Sequence, residues 1–252
     1  MKKLFLTFVC VSAFCSAWAQ RPLAVPYVLG LLDDHNGRLL AKESGAQSAQ
    51  LDKFHAIEST LVSYLDSLLM LENKRTPDKI QYSFTTWEKD GCYYCKEFKL
   101  LQSKKLSEKI NGSYTFKPGK DEGSRAQGLY VGTLKKNLFK TPKERCSFLA
   151  GAFARYGSRE EHLYKFRLTN SLSKFNAILS ELKALRCEVV NVDEKDGEPR
   201  VQQISFIPSE ELKAYLDKQL RIQTDIQRRK EKFAREHKPG KEAENLFLMN
   251  EE

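Results

Sequence analysis

The chain has 252 residues, 41% of them hydrophobic, and a formal net charge of +9. That apolar content excludes wholesale disorder, and the length suits one large domain or two small ones. The basic excess favours polyanionic partners, either nucleic acid or an anionic surface.

In chain order, Met1, Lys2 and Lys3 form a short basic start. An apolar run from Leu4 to Trp18 follows, interrupted by Thr7, Ser12 and Ser16, and Ala17-Trp18-Ala19 fits the small-x-small rule of signal peptidase. Residues 1–19 therefore read as a cleavable signal peptide. The mature chain is expected to begin at Gln20 and to be exported, to a periplasm or outside the cell. The run is shorter than the roughly 20 apolar residues of a membrane span, and no later stretch is expected to cross a membrane. Loss of the leader removes Cys10 and Cys15. Cys92, Cys95, Cys146 and Cys187 remain, an even set that permits disulfides in an oxidising compartment.

The rest reads as an internal duplication, residues 20–140 and 141–220, followed by a charged helical tail, 221–252. Leu51–Leu61 and Leu172–Leu182 share seven of eleven residues, and both read as amphipathic segments. The same spacing sets Gly30 against Gly151 and Arg38 against Arg159. Both glycines sit in apolar stretches, Tyr27–Leu32 and Phe148–Phe153. Glu88-Lys89-Asp90-Gly91 in the first copy parallels Glu194-Lys195-Asp196-Gly197 in the second.

The second copy is the easier to parse. Thr141-Pro142-Lys143-Glu144 is a helix start, with Thr as N-cap, Pro at the first turn and Glu closing a capping box. That helix carries Phe148, Leu149, Ala152 and Phe153 and ends at Gly157. Leu163–Leu168 alternates as a strand. A helix with apolar positions Leu172, Phe175, Ile178, Leu182 and Leu185 follows. Cys187–Val192 and Val201–Ile207 form a hairpin across Asp196-Gly197. Ser209-Glu210-Glu211 opens a last helix. The order is α, β, α, β-hairpin, α, with room for a short strand after Gly157. The fold class is α+β, two tandem repeats with pseudo-twofold symmetry.

This order, headed by Phe148-Leu149-Ala150-Gly151-Ala152-Phe153-Ala154-Arg155-Tyr156-Gly157, resembles the LAGLIDADG homing-endonuclease fold. Within it, the chain looks most like the WhiA-type regulators that do not cleave. Val28-Leu29-Gly30-Leu31-Leu32-Asp33-Asp34 supplies the first motif. The resemblance implies two motif helices side by side at the pseudo-twofold axis, with Gly30, Ala150, Gly151 and Ala154 permitting close approach. It also places a metal-holding carboxylate five positions after each motif glycine. Those positions here are His35 and Tyr156, so the resemblance implies the packing role without metal-dependent cleavage.

Binding on such a scaffold uses the sheets. The candidates are Lys96 and Lys99 in one strand, Lys165 and Arg167 in another, and Arg200, with Lys and Arg on phosphates. Leu212–Arg235, with Arg228, Arg229, Lys230 and Lys232, is a charged helix. His35, His55, His162 and His237 are too scattered for a metal site. With no HExxH, no glycine-rich phosphate loop and no Ser/His/Asp arrangement, the chain reads as a binding protein without metal or cofactor. Nothing in the sequence sets an oligomeric state.

A rival resemblance attaches to Ile80–Trp87 followed by Cys92-Tyr93-Tyr94-Cys95. It resembles a thioredoxin-like protein, in which CxxC opens a helix and the first cysteine is the nucleophile. The two resemblances differ on one point. In a strand, residues three apart lie roughly 10 Å from each other, too far for a disulfide. The LAGLIDADG-like reading takes Cys92–Leu100 as a strand, and so expects no Cys92–Cys95 bridge and leaves either cysteine free to pair with Cys146 or Cys187.

Overall fold

The computed structural model describes residues 21–41, 49–119 and 128–236. The signal-peptide expectation for residues 1–19 lies outside the described residues.

The first described helix, α1 (Ala24–Leu31), is buried along most of its length, as expected of a helix that is apolar all round. Its counterpart α4 (Pro142–Tyr156) is equally embedded, with every residue from Cys146 to Ala154 buried. The capping box at its start forms as the sequence predicts. The Glu144 N–H donates to Thr141 Oγ1 (3.2 Å), and the Thr141 N–H donates to Glu144 Oε2 (2.8 Å).

These two helices form the centre of the molecule. A Cβ added at Gly30 would lie 2.0 Å from the Phe148 carbonyl oxygen, and one added at Gly151 would lie 1.9 Å from that of Tyr27. Each glycine meets the carbonyl three residues before the other, which is the pseudo-twofold relation that the duplication implied. No side chain larger than hydrogen fits at either point.

Each motif helix leads into sheet and helix. After α4 come β7 (Gly157–Glu160), β8 (Leu163–Thr169), α5 (Leu172–Ala184), β9 (Glu188–Lys195), β10 (Val201–Ile207) and α6 (Glu210–Glu236). The sheet order is β7-β8-β10-β9, all antiparallel. Tyr164, Phe166 and Leu168 of β8, with Ile204 and Phe206 of β10, face the core. The helix α6 runs unbroken through the expected boundary at residue 220.

After α1 come β1 (Arg38–Ala41), β2 (Gln50–His55), α2 (Ser59–Arg75), β3 (Ser83–Thr86), β4 (Phe98–Gln102), α3 (Lys104–Asn111) and a hairpin, β5 (Tyr114–Pro118) with β6 (Leu129–Leu134). Strands β2-β4-β3 reproduce the order β8-β10-β9, but β1, the counterpart of β7, pairs with β6 instead. Arg38 anchors this departure. It is buried and donates from Nε to Asn111 Oδ1 (2.6 Å) and from Nη1 to the Leu51 carbonyl (3.3 Å). The turn into β1 passes through Asn36 and Gly37, both with positive φ, as a tight reversal requires.

Two expectations need correction. The matched segments Leu51–Leu61 and Leu172–Leu182 are not structural equivalents. The second is helical throughout, whereas the first is strand to His55, then a 3-10 turn at Ala56–Glu58, then the start of α2. His55 decides this: its Nδ1 accepts the Ile57 N–H (3.2 Å), and its own N–H donates to Glu58 Oε2 (3.1 Å), a capping box that begins the helical turn there. Cys92–Leu100 is also not one strand. Tyr93–Glu97 is a 3-10 turn ahead of β4, bringing the cysteine Cα atoms to 5.5 Å, and Cys92 and Cys95 are bridged. Cys146 and Cys187 are unbridged.

Candidate nucleic-acid interface and central cleft

The C-terminal ends of α1 and α4 meet where the two sheets turn their non-core faces outward. At the first end the helix stops at Leu31, so His35 sits beyond it, its Nε2 3.4 Å from Asn170 Nδ2. At the second end Tyr156 is still helical, and its hydroxyl donates to the Leu32 carbonyl (3.1 Å). Burial pushes the Tyr156 pKa well above its ordinary value, so the hydroxyl keeps its proton. Of the two positions five after the motif glycines, Tyr156 ties the helix ends together and His35 contacts the residue that follows β8.

The neighbouring carboxylates are held by cations. Lys174 of α5, wholly buried, pairs with Asp34 at 3.2 Å and donates to the Leu32 carbonyl. Asp34 also accepts from the Ser171 hydroxyl. Arg155 donates to Asp52 Oδ2 (2.7 Å), Glu58 Oε1 (2.9 Å) and the Lys53 and Leu31 carbonyls. Burial pushes the Asp52 carboxyl above its usual range, against the opposing pull of Arg155. Among the described residues, no group of three or more His, Cys, Asp or Glu side chains is arranged to hold a metal ion.

Strand register sorts the proposed binding residues. Lys165 and Arg167 alternate with core residues on β8 and so share its outward face. Lys165 pairs with Glu160. Lys96 lies on the 3-10 turn rather than in a strand. Lys99 sits directly opposite core Phe54 in the ladder and so shares Phe54's face at its exposed margin, where its Nζ donates to Thr86 Oγ1 (2.8 Å). The Arg200 guanidinium pairs with Asp196 at the hairpin end at 2.9 Å, while its N–H donates to Asn170 Oδ1 (2.8 Å), the residue beside His35.

The residues that share the outward face of the first sheet escaped the sequence reading. They are Lys53, His55, Phe98 and Leu100. Only Lys53 is part-exposed, with its Nζ 4.2 Å from the Trp87 ring centre, while His55, Phe98 and Leu100 are buried, Phe98 under Trp87 and His55 under Phe233. His55 Nε2 bonds Glu97 at 3.0 Å. The alternation of Lys53 and His55 in a strand was the available signal, hidden by the match of Leu51–Leu61 to Leu172–Leu182, whose apolar spacing is helical.

A cleft of about 460 Å³ opens at the helix ends. Its walls are Asp33 and His35, the Arg155–Ser158 corner, Arg167 and Thr169 of β8, and one side of α6, from Gln223 to Phe233. Helix α6 is held there by Asp225, which accepts from Thr60, Arg228 and Arg229, and by Phe233 packed edge-on to His55 at 6.0 Å.

The CxxC segment lies apart from this cleft. Cys95 is buried and Cys92 is partly exposed beside Gly91 and Lys96. The element that follows is strand β4, where the thioredoxin-like resemblance requires an α-helix.

No protein-family model matches the chain, and no curated protein matches it. Among solved structures it is similar to I-DmoI in complex with DNA and calcium, at 14% identity, covering 75% of this chain and 85% of that one, with a TM-score of 0.47. It is also similar to mesophilic variants of the homing endonuclease I-DmoI, at 13% identity over 81% and 94% of the two chains, with a TM-score of 0.45. A third similar structure is an I-DmoI variant with its target DNA and manganese, at 15% identity over 79% and 93%, with a TM-score of 0.46.

Proposed function

We propose that this protein binds nucleic acid on the outward faces of its two sheets and does not cleave it. The observation that carries this reading is at the motif-helix ends. The two carboxylate positions hold His35 and Tyr156, and nearby Asp34 is paired with Lys174 while Asp52 and Glu58 share Arg155. The scaffold keeps the close helix packing while its acids hold the two repeats together. Arg167 is exposed on the outward face of β8 to meet phosphates, with Lys165, paired to Glu160, beside it and Lys53, over Trp87, on the first sheet.

The test is fluorescence anisotropy with a labelled duplex across a salt series, alongside a cleavage assay with magnesium. Affinity should fall steeply with salt, and a Lys53→Glu/Lys165→Glu variant should lose binding. Salt-independent binding or specific cutting would overturn the reading. Export is part of the same proposal and rests on the sequence of residues 1–19. Mass spectrometry from the native host should find Gln20 at the N-terminus, and intact Met1–Ala19 peptides would refute it.

A second reading rests on the bridged Cys92–Cys95 pair, whose outer sulfur is the more accessible. A thiolate from a small thiol or a dithiol protein attacks Cys92 Sγ, the Cys92–Cys95 bond breaks, and Cys95 leaves as the thiolate. Its test is equilibration with a glutathione redox buffer. Failure to detect a Cys92 mixed disulfide in a Cys95→Ser variant sinks it.

A further inference from the structure

We propose that the central cleft binds a phosphate-bearing ligand about the size of one nucleotide. The inference deepens the nucleic-acid reading, because it gives the same surface a specific pocket. The volume of about 460 Å³ is that of a small-molecule site, too small for a duplex.

The charges in the cleft differ in their availability. Arg155 is committed to Asp52 and Glu58. Arg167 and Lys230 also line the cleft, and among the described residues neither side chain has an ion-pair or hydrogen-bond partner. They come from different elements, β8 and α6, so an anion in the cleft could draw on a cation from each. Ser158 and Thr169 add hydroxyls from the sheet, while Gln223 adds an amide from the helix and Gln227, whose Nε2 donates to Glu231 Oε1 (3.1 Å), lies beside it. Gln223, Gln227 and Lys230 recur at helical spacing on one side of α6.

The remaining surroundings suit the rest of a nucleotide. Ile57, Ile226 and Phe233 provide an apolar wall for a flat ring. Asp33, whose Oδ1 accepts the His35 N–H (3.1 Å), retains acceptor capacity for sugar hydroxyls or an exocyclic amine. A carboxylate would oppose a second phosphate placed beside it, so a single phosphate group fits this cleft better than a triphosphate.

The experiment is isothermal titration of the full mature chain with a 5′-mononucleotide, its parent nucleoside and inorganic phosphate. Two single-stranded tetranucleotides, with and without a 5′-phosphate, are titrated in parallel. The mononucleotide should bind saturably and the nucleoside at least tenfold more weakly. Lys230→Glu, a change at an exposed position, should weaken the mononucleotide at least tenfold, and Lys230→Arg should preserve it. Tighter binding of the 5′-phosphorylated tetranucleotide identifies the source as a strand end, and equal affinity identifies a free nucleotide. Absence of saturation up to 10-fold above millimolar concentration, or an unchanged affinity in Lys230→Glu, overturns the proposal. The Lys53→Glu/Lys165→Glu variant separates the two readings. It should keep the nucleotide while losing duplex, and loss of both would refute a cleft independent of those lysines.

Discussion

Gly30 and Gly151 each face the carbonyl oxygen three residues ahead of the other, Phe148 and Tyr27 respectively, so that neither position has space for a Cβ. The contact is backbone to backbone, and no flexible side-chain end can yield. Gly30→Ala or Gly151→Ala should therefore cost about 3 kcal/mol, the upper end for overpacking. The double variant should cost less than the sum, because both act on one helix pair. Gly197→Ala is the control. Its Cβ would meet only the Pro199 carbonyl, at 3.8 Å, and should be near neutral. Urea melts of all four variants decide this, and a neutral Gly151→Ala would contradict the packing.

Arg155→Met would leave Asp52 and Glu58 buried without their cation, a loss of about 3–5 kcal/mol by analogy with broken buried pairs. The deficit should depend on pH with a definite sign. Burial already raises the folded pKa of Asp52 above 3.8, and removing Arg155 raises it further. A raised carboxyl means that the folded state binds more protons, so stability is lost as pH rises through that window. Denaturation at pH 5 and pH 8 should find the larger deficit at pH 8.

Asp225 carries the opposite sign. The Thr60 hydroxyl, then Arg228 and Arg229, hold its carboxyl well below the usual range. A lowered carboxyl contributes stability above the unfolded value of 3.8, which is lost as pH falls. Asp225→Asn should cost about 1 kcal/mol at pH 7, a figure discounted for solvent contact, and little near pH 2. Because Asp225 ties α6 to α2, the same variant should speed proteolysis within α6. Equal digestion rates would show that the tie does not hold the cleft's helical wall.

The cysteines should separate cleanly in a thiol assay. Burial pushes the Cys146 thiol up to about 12 and raises that of Cys187. Neither should react readily at pH 8 until the protein unfolds. Non-reducing peptide maps should recover Cys92 joined to Cys95, and a dominant Cys146–Cys187 linkage would contradict the fold.

Much of the second repeat was legible in the sequence, because its signals act within a few residues. The Thr141–Glu144 capping box, the alternation of Leu163–Leu168 and the Asp196-Gly197 hairpin each satisfy nearby backbone groups or one face of one element. The motif glycines were legible too, since a repeated small residue in an apolar helix implies close approach. Tertiary structure alone decided which way the remaining groups turned. Strand β1 leaves its expected neighbour because Arg38 is drawn to Asn111. Leu51–Leu61 takes strand and turn where the similar second segment takes helix, because His55, Glu58 and Asp52 are claimed locally and by Arg155, distant in sequence. The CxxC pair closes because a short 3-10 turn precedes β4. The cleft exists because α6 continues past Ile226, its last buried residue, and adds Gln227, Lys230 and Phe233 to a wall whose other residues come from distant parts of the chain. The CxxC closure is a local turn; the other outcomes depend on polar and charged side chains such as Arg38, Arg155 and Lys230 reaching positions far along the chain, where hydrophobic periodicity carries no information about partners.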